Sequence, residues 1–560
     1  MTGEKQEEGP QAATRGAYRS SPLRADDPRQ ERLAASHGSN IFFPPPGNPY
    51  SSTRLVPPIM FSLMDVKIPP LDDTTSQRRG LSRLLQRLTA FGPAAILASL
   101  AIGAGETIVV VRAGAWAGYS LMWLVLLSVL VKAVFFTYML GRYTAISGEH
   151  IGHRLVKLPG PRGWLLITII VLEMLAGPPL WVAIARPCGN LLYYVLASKD
   201  GLHLPLSGSE EAWGQAITIA FIILALGMSL RLTYEKLEKQ QIVICLILVT
   251  GTVLGTLLVR PDIGAAIIGS LRFGYVPETW PDFAPKIATE HPGLSMVNTF
   301  GYVGGSIMGY IVYANWVGLR RWGLCRHDDI EKIREQAARD DRIRYLPDDA
   351  VQARRLRRLA APLKWDVGMG AIVLFVVTIA FMMSGAAVLY PMLMDGKIDS
   401  EKVFTGWNLL TGQAHVWKNI HESLIWIYYV TVIAALWGTL QAFPEVYARV
   451  THEFCQAIWP KKAIRFALLQ RIICVYIAVG CVVLVWVDPP FDILISLVTF
   501  LVTSLPVALM MFASIYLNFL LPPRYRTHGI VLAGGCLSAV ILTVATYISA
   551  TGLADKLTGG

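Results

Sequence analysis

The stretch Phe91 to Gly118, FGPAAILASLAIGAGETIVVVRAGAWAG, is a hydrophobic span of membrane length that is broken in its middle. An apolar run from Ala94 to Ile102 leads into Gly103-Ala104-Gly105; Glu106 and Thr107 follow, and a second apolar run covers Ile108 to Val111. A carboxylate at the centre of a bilayer is costly and marks function. The glycines let the backbone leave helical geometry, which at that depth is tolerated only against protein or a water-filled cavity. Broken spans with a polar group at the break mark the substrate sites of secondary transporters. The rest of the chain is therefore expected to supply a second break facing this one.

It does so five spans later. Leu294 to Val317, LSMVNTFGYVGGSIMGYIVYANWV, is interrupted by Gly304-Gly305-Ser306 and Gly309 and carries Met308, Tyr310 and Asn315. Paired breaks in spans one and six predict a five-plus-five inverted repeat. Between them lie span two, about Tyr119 to Tyr143 with Lys132 at its centre, and span three, Gly163 to Leu196 with Glu173 and a Gly177-Pro178-Pro179 kink. Span four is Trp213 to Leu230 and span five Gln241 to Val259. Beyond span six come Gly368 to Met392, Leu424 to Tyr447, Leu468 to Val487, Phe491 to Leu521 with Pro506 inside, and Ile530 to Thr551. The expectation is an all-α polytopic membrane protein of about eleven spans. Residues 87–259 form the first repeat, 294–521 the second, and 530–551 an extra helix.

The linkers orient it. Arg78, Arg79, Arg83 and Arg87 precede span one, and the most charged stretch, 320–365, follows span six. All heavily basic linkers fall on one side, which the positive-inside rule assigns to the cytosol. The amino end is then inside, the carboxyl end outside, and the protein is expected in the cell (inner or plasma) membrane. Residues 1–86, rich in Gly, Pro, Ser, Arg and Glu and without a signal-peptide pattern, read as a disordered cytosolic tail. Its apolar piece Leu55 to Met64 is too short to span. The 320–365 loop reads as a solvated segment.

Composition agrees: 53% of residues are hydrophobic and 16% charged, well below the quarter typical of soluble domains. The net charge of +11 sits in linkers, which excludes nucleic acid as its reason. The seven scattered cysteines show no paired spacing and read as packing residues. No nucleophile–base pair or zinc motif points to an enzyme.

Around spans one, two and six the chain resembles the Nramp family of divalent-metal transporters. That family carries Asp-Pro-Gly-Asn where this chain has Gly103-Ala104-Gly105-Glu106, followed by a run like Ala113-Gly114-Ala115-Trp116-Ala117-Gly118-Tyr119. Its Met-Pro-His of span six corresponds to Met308-Gly309-Tyr310 in a similar Gly-Gly-Ser-Ile setting. The resemblance implies the LeuT type of inverted repeat. It also implies a substrate site at Gly103, Glu106, Gly304, Met308 and Tyr310. The departures are specific: the family's metal-binding aspartate falls at Gly103, its asparagine at Glu106, a second span-six histidine at Asn315 and a span-ten glutamine at Val498.

Each residue has a chemical and a packing reading. Glu106 is a cation ligand or proton site, or it pairs with Lys132 or Arg112 and braces the bundle. Met308 offers a soft thioether ligand or simply packs. Tyr310 offers a hydroxyl or an aromatic wall. Ser306 and Asn315 suit hydrogen bonds across helices. Glu173 is a proton relay or the partner of a neighbouring base, and Lys132 is the counter-charge of Glu106. The reading that follows is a secondary transporter moving a divalent metal cation by alternating access. Glu106 and Met308 are its metal ligands, with carbonyls near Gly103 and Gly304 completing the shell. Lys132, Glu173, Asn315 and Ser306 support it or couple it to protons. No tightly bound cofactor is expected; the partners are the bilayer, the metal ion and protons. The alternatives are the same fold carrying an amino acid or amine, or a non-transporting sensor or scaffold. Neutralisation of Glu106 by Lys132 would favour a neutral or zwitterionic solute.

Overall fold

The computed structural model describes residues 66–70 and 91–558, apart from 104, 200, 232, 233, 401–406, 408, 421–423 and 463. Among the described residues the regular structure is entirely helical. Nine helices among the described residues are long and apolar enough to cross a membrane. A tenth passage is the pair Pro93–Ala101 and Gly105–Ala117, bent by 49° at the break. Span six of the sequence consists of a leading half-helix, Pro292–Tyr302, and a trailing half-helix, Ile307–Leu319. Each is shorter than the roughly 20 residues that a bilayer requires, so the candidate spans among the described residues number nine or ten against the eleven expected.

Both breaks are stopped by their own sequence. Pro93 opens the first half of span one, where its missing N–H costs nothing. Its exposed N–H groups are capped in trans: Asp366, at the start of span seven, accepts from Gly92 N and Ala94 N at 3.0 Å each, and from the Tyr313 hydroxyl at 2.8 Å. One buried carboxylate thus ties spans one, six and seven together at the basic side. At the opposite side Arg112 pairs with Asp492 of span ten at 2.5 Å, and Trp116 packs edge-on against Trp280. Span three is a 34-residue helix through Pro178, Pro179 and Pro187.

Three regions depart from expectation. Of the 1–86 tail, residues 66–70 are extended and docked: Val66 and Ile68 are buried, Ile68 N donates to Gln352 Oε1 at 3.2 Å, and Arg355 donates to Ile68 O at 3.3 Å. The Leu55 to Met64 piece lies outside the described residues. The 320–365 loop is also docked rather than solvated. It forms helices Ile330–Arg339 and Ala350–Leu359, each with one apolar stripe turned inward. Tyr345 donates to Ser147 O and Glu149, while Arg154 holds Glu149 at 2.6 Å and the carbonyls of Asp340 and Asp341 at 2.9 Å. Apolar residues spaced three and four apart were hidden by the charge around them. Finally, the connections after spans five and seven contain helices, Ile263–Leu271 and Leu409–Ile420.

His150 lies where this loop meets the bundle. Burial, followed by the charges of Arg334 and His153, pushes its imidazole down to about 3. The folded protein holds it neutral while the unfolded chain protonates it below pH ~6.5. Stability is therefore expected to fall as pH drops from there, by about 1.4 kcal/mol per unit; thermal unfolding in detergent across pH 4–7 should show a flatter profile for His150→Gln. Asp366→Ala, which leaves two N–H groups and a tyrosine hydroxyl without their acceptor, should cost about 2–4 kcal/mol in the same assay at pH 7.

Candidate functional site at the joined helix breaks

In span one the turn closes with Ile102 N on Ala98 O, and the chain leaves the helix at Gly103. It re-enters through a π-turn, Gly105–Val110, with Thr107 N and its hydroxyl both on Gly103 O, at 3.1 and 2.8 Å. Glycine at 105 is a requirement of contact: a Cβ there would sit 2.2 Å from Tyr302 O, at the end of the leading half-helix. At 103 a Cβ would lie 2.9 Å from Thr439 Oγ1 of span eight, which itself donates to Ile102 O at 3.2 Å. Thr439 therefore occupies the space that an acidic side chain at 103 would need. The carboxylate sits three residues later, at Glu106.

In span six Gly304 has φ +99, a left-handed conformation suited to glycine. Ser306 caps the trailing half-helix by accepting from Gly309 N at 3.3 Å.

Most polar groups near the junction have a named partner; the buried Tyr302 hydroxyl at the cavity has none. Glu106, fully buried, accepts from Gly103 N at 3.0 Å through one oxygen and from Gly304 N at 3.1 Å through the other. One carboxylate thus bridges both breaks. Gly305 N donates to the Tyr310 hydroxyl at 3.1 Å, and Met308 N donates to Glu173 at 3.3 Å. The open carbonyls of the leading half-helix turn to span two. Lys132 Nζ donates to Phe300 O and Gly301 O at 2.8 Å each, and Ser128 donates to Phe300 O and Val303 O at 2.9 and 2.7 Å. Ser128 and Lys132, four residues apart, share one face. Span two is π-helical over Val129–Phe136, around Lys132.

The structure brings Gly103, Glu106, Gly304, Ser306, Tyr310 and Lys132 to one junction. Three expectations are corrected. Glu106 and Lys132 make no direct ion pair, although each lies within the other's field; Glu106 binds N–H groups of the break residues Gly103 and Gly304, and Lys132 binds carbonyls that end the leading half-helix. Arg112 pairs with Asp492, not Glu106. Glu173 is held by the Tyr447 hydroxyl at 2.7 Å and Met308 N rather than by a base. Asn315 does hydrogen-bond across helices as expected, to His150 and Glu453, at a place away from the break. Met308 is fully buried, with only its backbone N–H assigned a polar partner. The sequence reading missed Ser128, Thr439 and Tyr447. Ser128 was detectable from its spacing to Lys132; the other two depend on how span eight packs.

A cavity of about 30 Å³ lies at the junction, lined by Gly103, Gly304, Ser306, Thr439, Val498 and Thr503 among others. That is room for one or two waters or a small ion. Val498 falls at this cavity, as its register from Pro506 implied. Among the described residues no three His, Cys, Asp or Glu side chains cluster as a metal site. Neither Glu106 nor Met308 lines this cavity, so what a cation in it would meet is backbone and hydroxyl oxygens, with the Glu106 carboxylate behind Gly103 and Gly304.

Residues 94–551 match the family described as natural resistance-associated macrophage protein-like. A comparison with curated proteins gives no match. Among solved structures, a glutamate-to-glutamine mutant of the Eremococcus coleocola manganese transporter is similar with TM-score 0.61 and 15% identity, over 89% of this chain and 92% of that one. A histidine-to-alanine mutant of the same transporter gives TM-score 0.61 and 15% identity over 86% and 90%. Its complex with an aromatic bis-isothiourea compound gives TM-score 0.58 and 14% identity over 89% and 92%. At this identity the likeness is one of fold.

Glu106→Gln can accept from only one of the two N–H groups that Glu106 now satisfies. Leaving the other unpaired should destabilise the protein by about 1–3 kcal/mol, read as a lower thermal midpoint, with Glu106→Ala lower still.

Proposed function

The chain belongs to the natural resistance-associated macrophage protein-like family, and on that premise we propose that it carries a divalent metal cation across the membrane by alternating access at the joined breaks. The observation that carries this reading is the Glu106 carboxylate. It is wholly buried and spans the breaks of spans one and six beside a cavity of small-ion size. A negative charge placed there has a natural partner in a permeating cation.

In this reading Glu106 and the Met308 thioether are the side-chain ligands, with backbone oxygens near Gly103 and Gly304 and the hydroxyls of Ser306 and Thr439 available to complete the shell. A thioether favours softer ions over magnesium or calcium. Manganese, carried by the structurally similar transporter, is the first ion to test. Glu106 and Glu173 lie at opposite ends of the Gly304–Met308 segment and are the groups able to exchange protons with the cargo. The basic linkers and amino end face the cytosol and the carboxyl end faces outward.

One observation favours a second reading. The breaks already hold a carboxylate on N–H groups and an ammonium on carbonyls, the pairing that a bound amino acid would make.

Flux into proteoliposomes separates the two. Wild type should accumulate manganese saturably, Glu106→Gln should lose at least about tenfold, and Met308→Ala should lose the softer ions most. Manganese flux absent from folded wild type, with uptake of an amino acid or amine in its place, would establish the second reading.

A further inference from the structure

Span two inserts a positive charge where a broken helix of this kind would otherwise hold a free cation. The leading half-helix of span six, Pro292–Tyr302, ends at membrane depth with its last carbonyls unpaired along the helix. Such half-helix ends, negative in dipole, coordinate the ions of secondary transporters. Here Lys132 Nζ lies 2.8 Å from both Phe300 O and Gly301 O and 5.0 Å from the centre of the Phe300 ring. The ammonium is wholly buried and is not ion-paired with Glu106. We infer that Lys132 is the resident cation of this protein, a tethered ammonium occupying a monovalent-cation site made by the Phe300 and Gly301 carbonyls.

Simple capping does not account for it. Ser128, one turn earlier on the same face, already shares the single proton of a neutral hydroxyl between Phe300 O and Val303 O. A second hydroxyl would cap Gly301 O without bringing a charge into the bilayer. Burying an ammonium costs several kcal/mol even after relaxation, so its presence implies that these oxygens favour a full positive charge. The helix carrying it is also adapted: its π-helical segment, Val129–Phe136, is centred on Lys132, and Thr137 closes the turn by donating to Lys132 O at 2.9 Å. Such π-turns occur mostly at functional sites. At Gly304 a Cβ would lie 3.6 Å from Lys132 Cε and 3.8 Å from Nζ, so the amino group reaches the break itself.

Two consequences follow, whichever solute crosses. The wild-type protein needs no free monovalent ion at this position. Removing the side chain, but not the oxygens, creates a site for one.

The test is thermal unfolding of purified wild type and Lys132→Ala in choline chloride, titrated with sodium, potassium or methylammonium chloride at constant ionic strength. Lys132→Ala should unfold roughly 5 °C or more below wild type in choline and recover much of that loss, saturably, with sodium or methylammonium. Wild type should shift by less than about 1 °C in the same titrations. Should Lys132→Ala yield no folded protein in choline, Lys132→Gln, uncharged and one atom shorter than lysine, is titrated in its place with the same expectation. Failure of every small cation to stabilise either variant overturns the inference, as does an equal response from wild type. Manganese is titrated separately into wild type, so absence of metal binding would remove the metal reading without bearing on this one.

Discussion

The constraint on which this structure depends is the satisfaction of backbone polar groups where two helices stop inside a membrane. An unpaired N–H or C=O there costs several kcal/mol, and each break exposes a set of both. Glu106 answers the N–H groups of Gly103 and Gly304; Lys132 and Ser128 answer the carbonyls of Phe300, Gly301 and Val303. Because Glu106 binds both spans at once, the breaks are held face to face. Their contact is close enough that position 105 has no space for a side chain. The same logic recurs at the basic side, where Asp366 caps span one from span seven.

This arrangement also defines what the site can do. Two ionisable side chains of opposite sign stand at the breaks, Glu106 on the N–H groups of the break residues Gly103 and Gly304, and Lys132 on the carbonyls at the negative end of the leading half-helix. A cation entering the nearby cavity meets hydroxyls and backbone oxygens, with Glu106 one layer behind them, rather than a cluster of acidic or imidazole ligands among the described residues. Affinity would then rest on how fully backbone oxygens replace water and on whether Glu106 turns from its two N–H partners toward the ion. Glu173, at the start of the trailing half-helix, is the second carboxylate that such a rearrangement would reach.

Much of the fold was legible because hydropathy in a bilayer is a strong signal. The span positions and the two breaks follow from apolar runs interrupted by glycine. The residues of the junction were legible for the same reason: Glu106 and Lys132 are charges where charges are costly. Their partners were misassigned. Sequence places opposite charges near one another and suggests a pair, whereas the oxygens and N–H groups that hold them belong to a backbone whose course depends on Gly304 and Gly105. The docked 320–365 loop escaped notice because its inward stripe, Ile330, Ile333 and Ala337, is embedded in a run of charges. Thr439 and Tyr447 come from a long span with no local irregularity to distinguish them.

The central claim is that the joined breaks form a divalent-cation site with Glu106 as its carboxylate. Isothermal titration of manganese into the purified protein tests it most directly. The account predicts saturable binding by wild type that Glu106→Gln removes while remaining folded. No binding by folded wild type, or equal binding by Glu106→Gln, would contradict it.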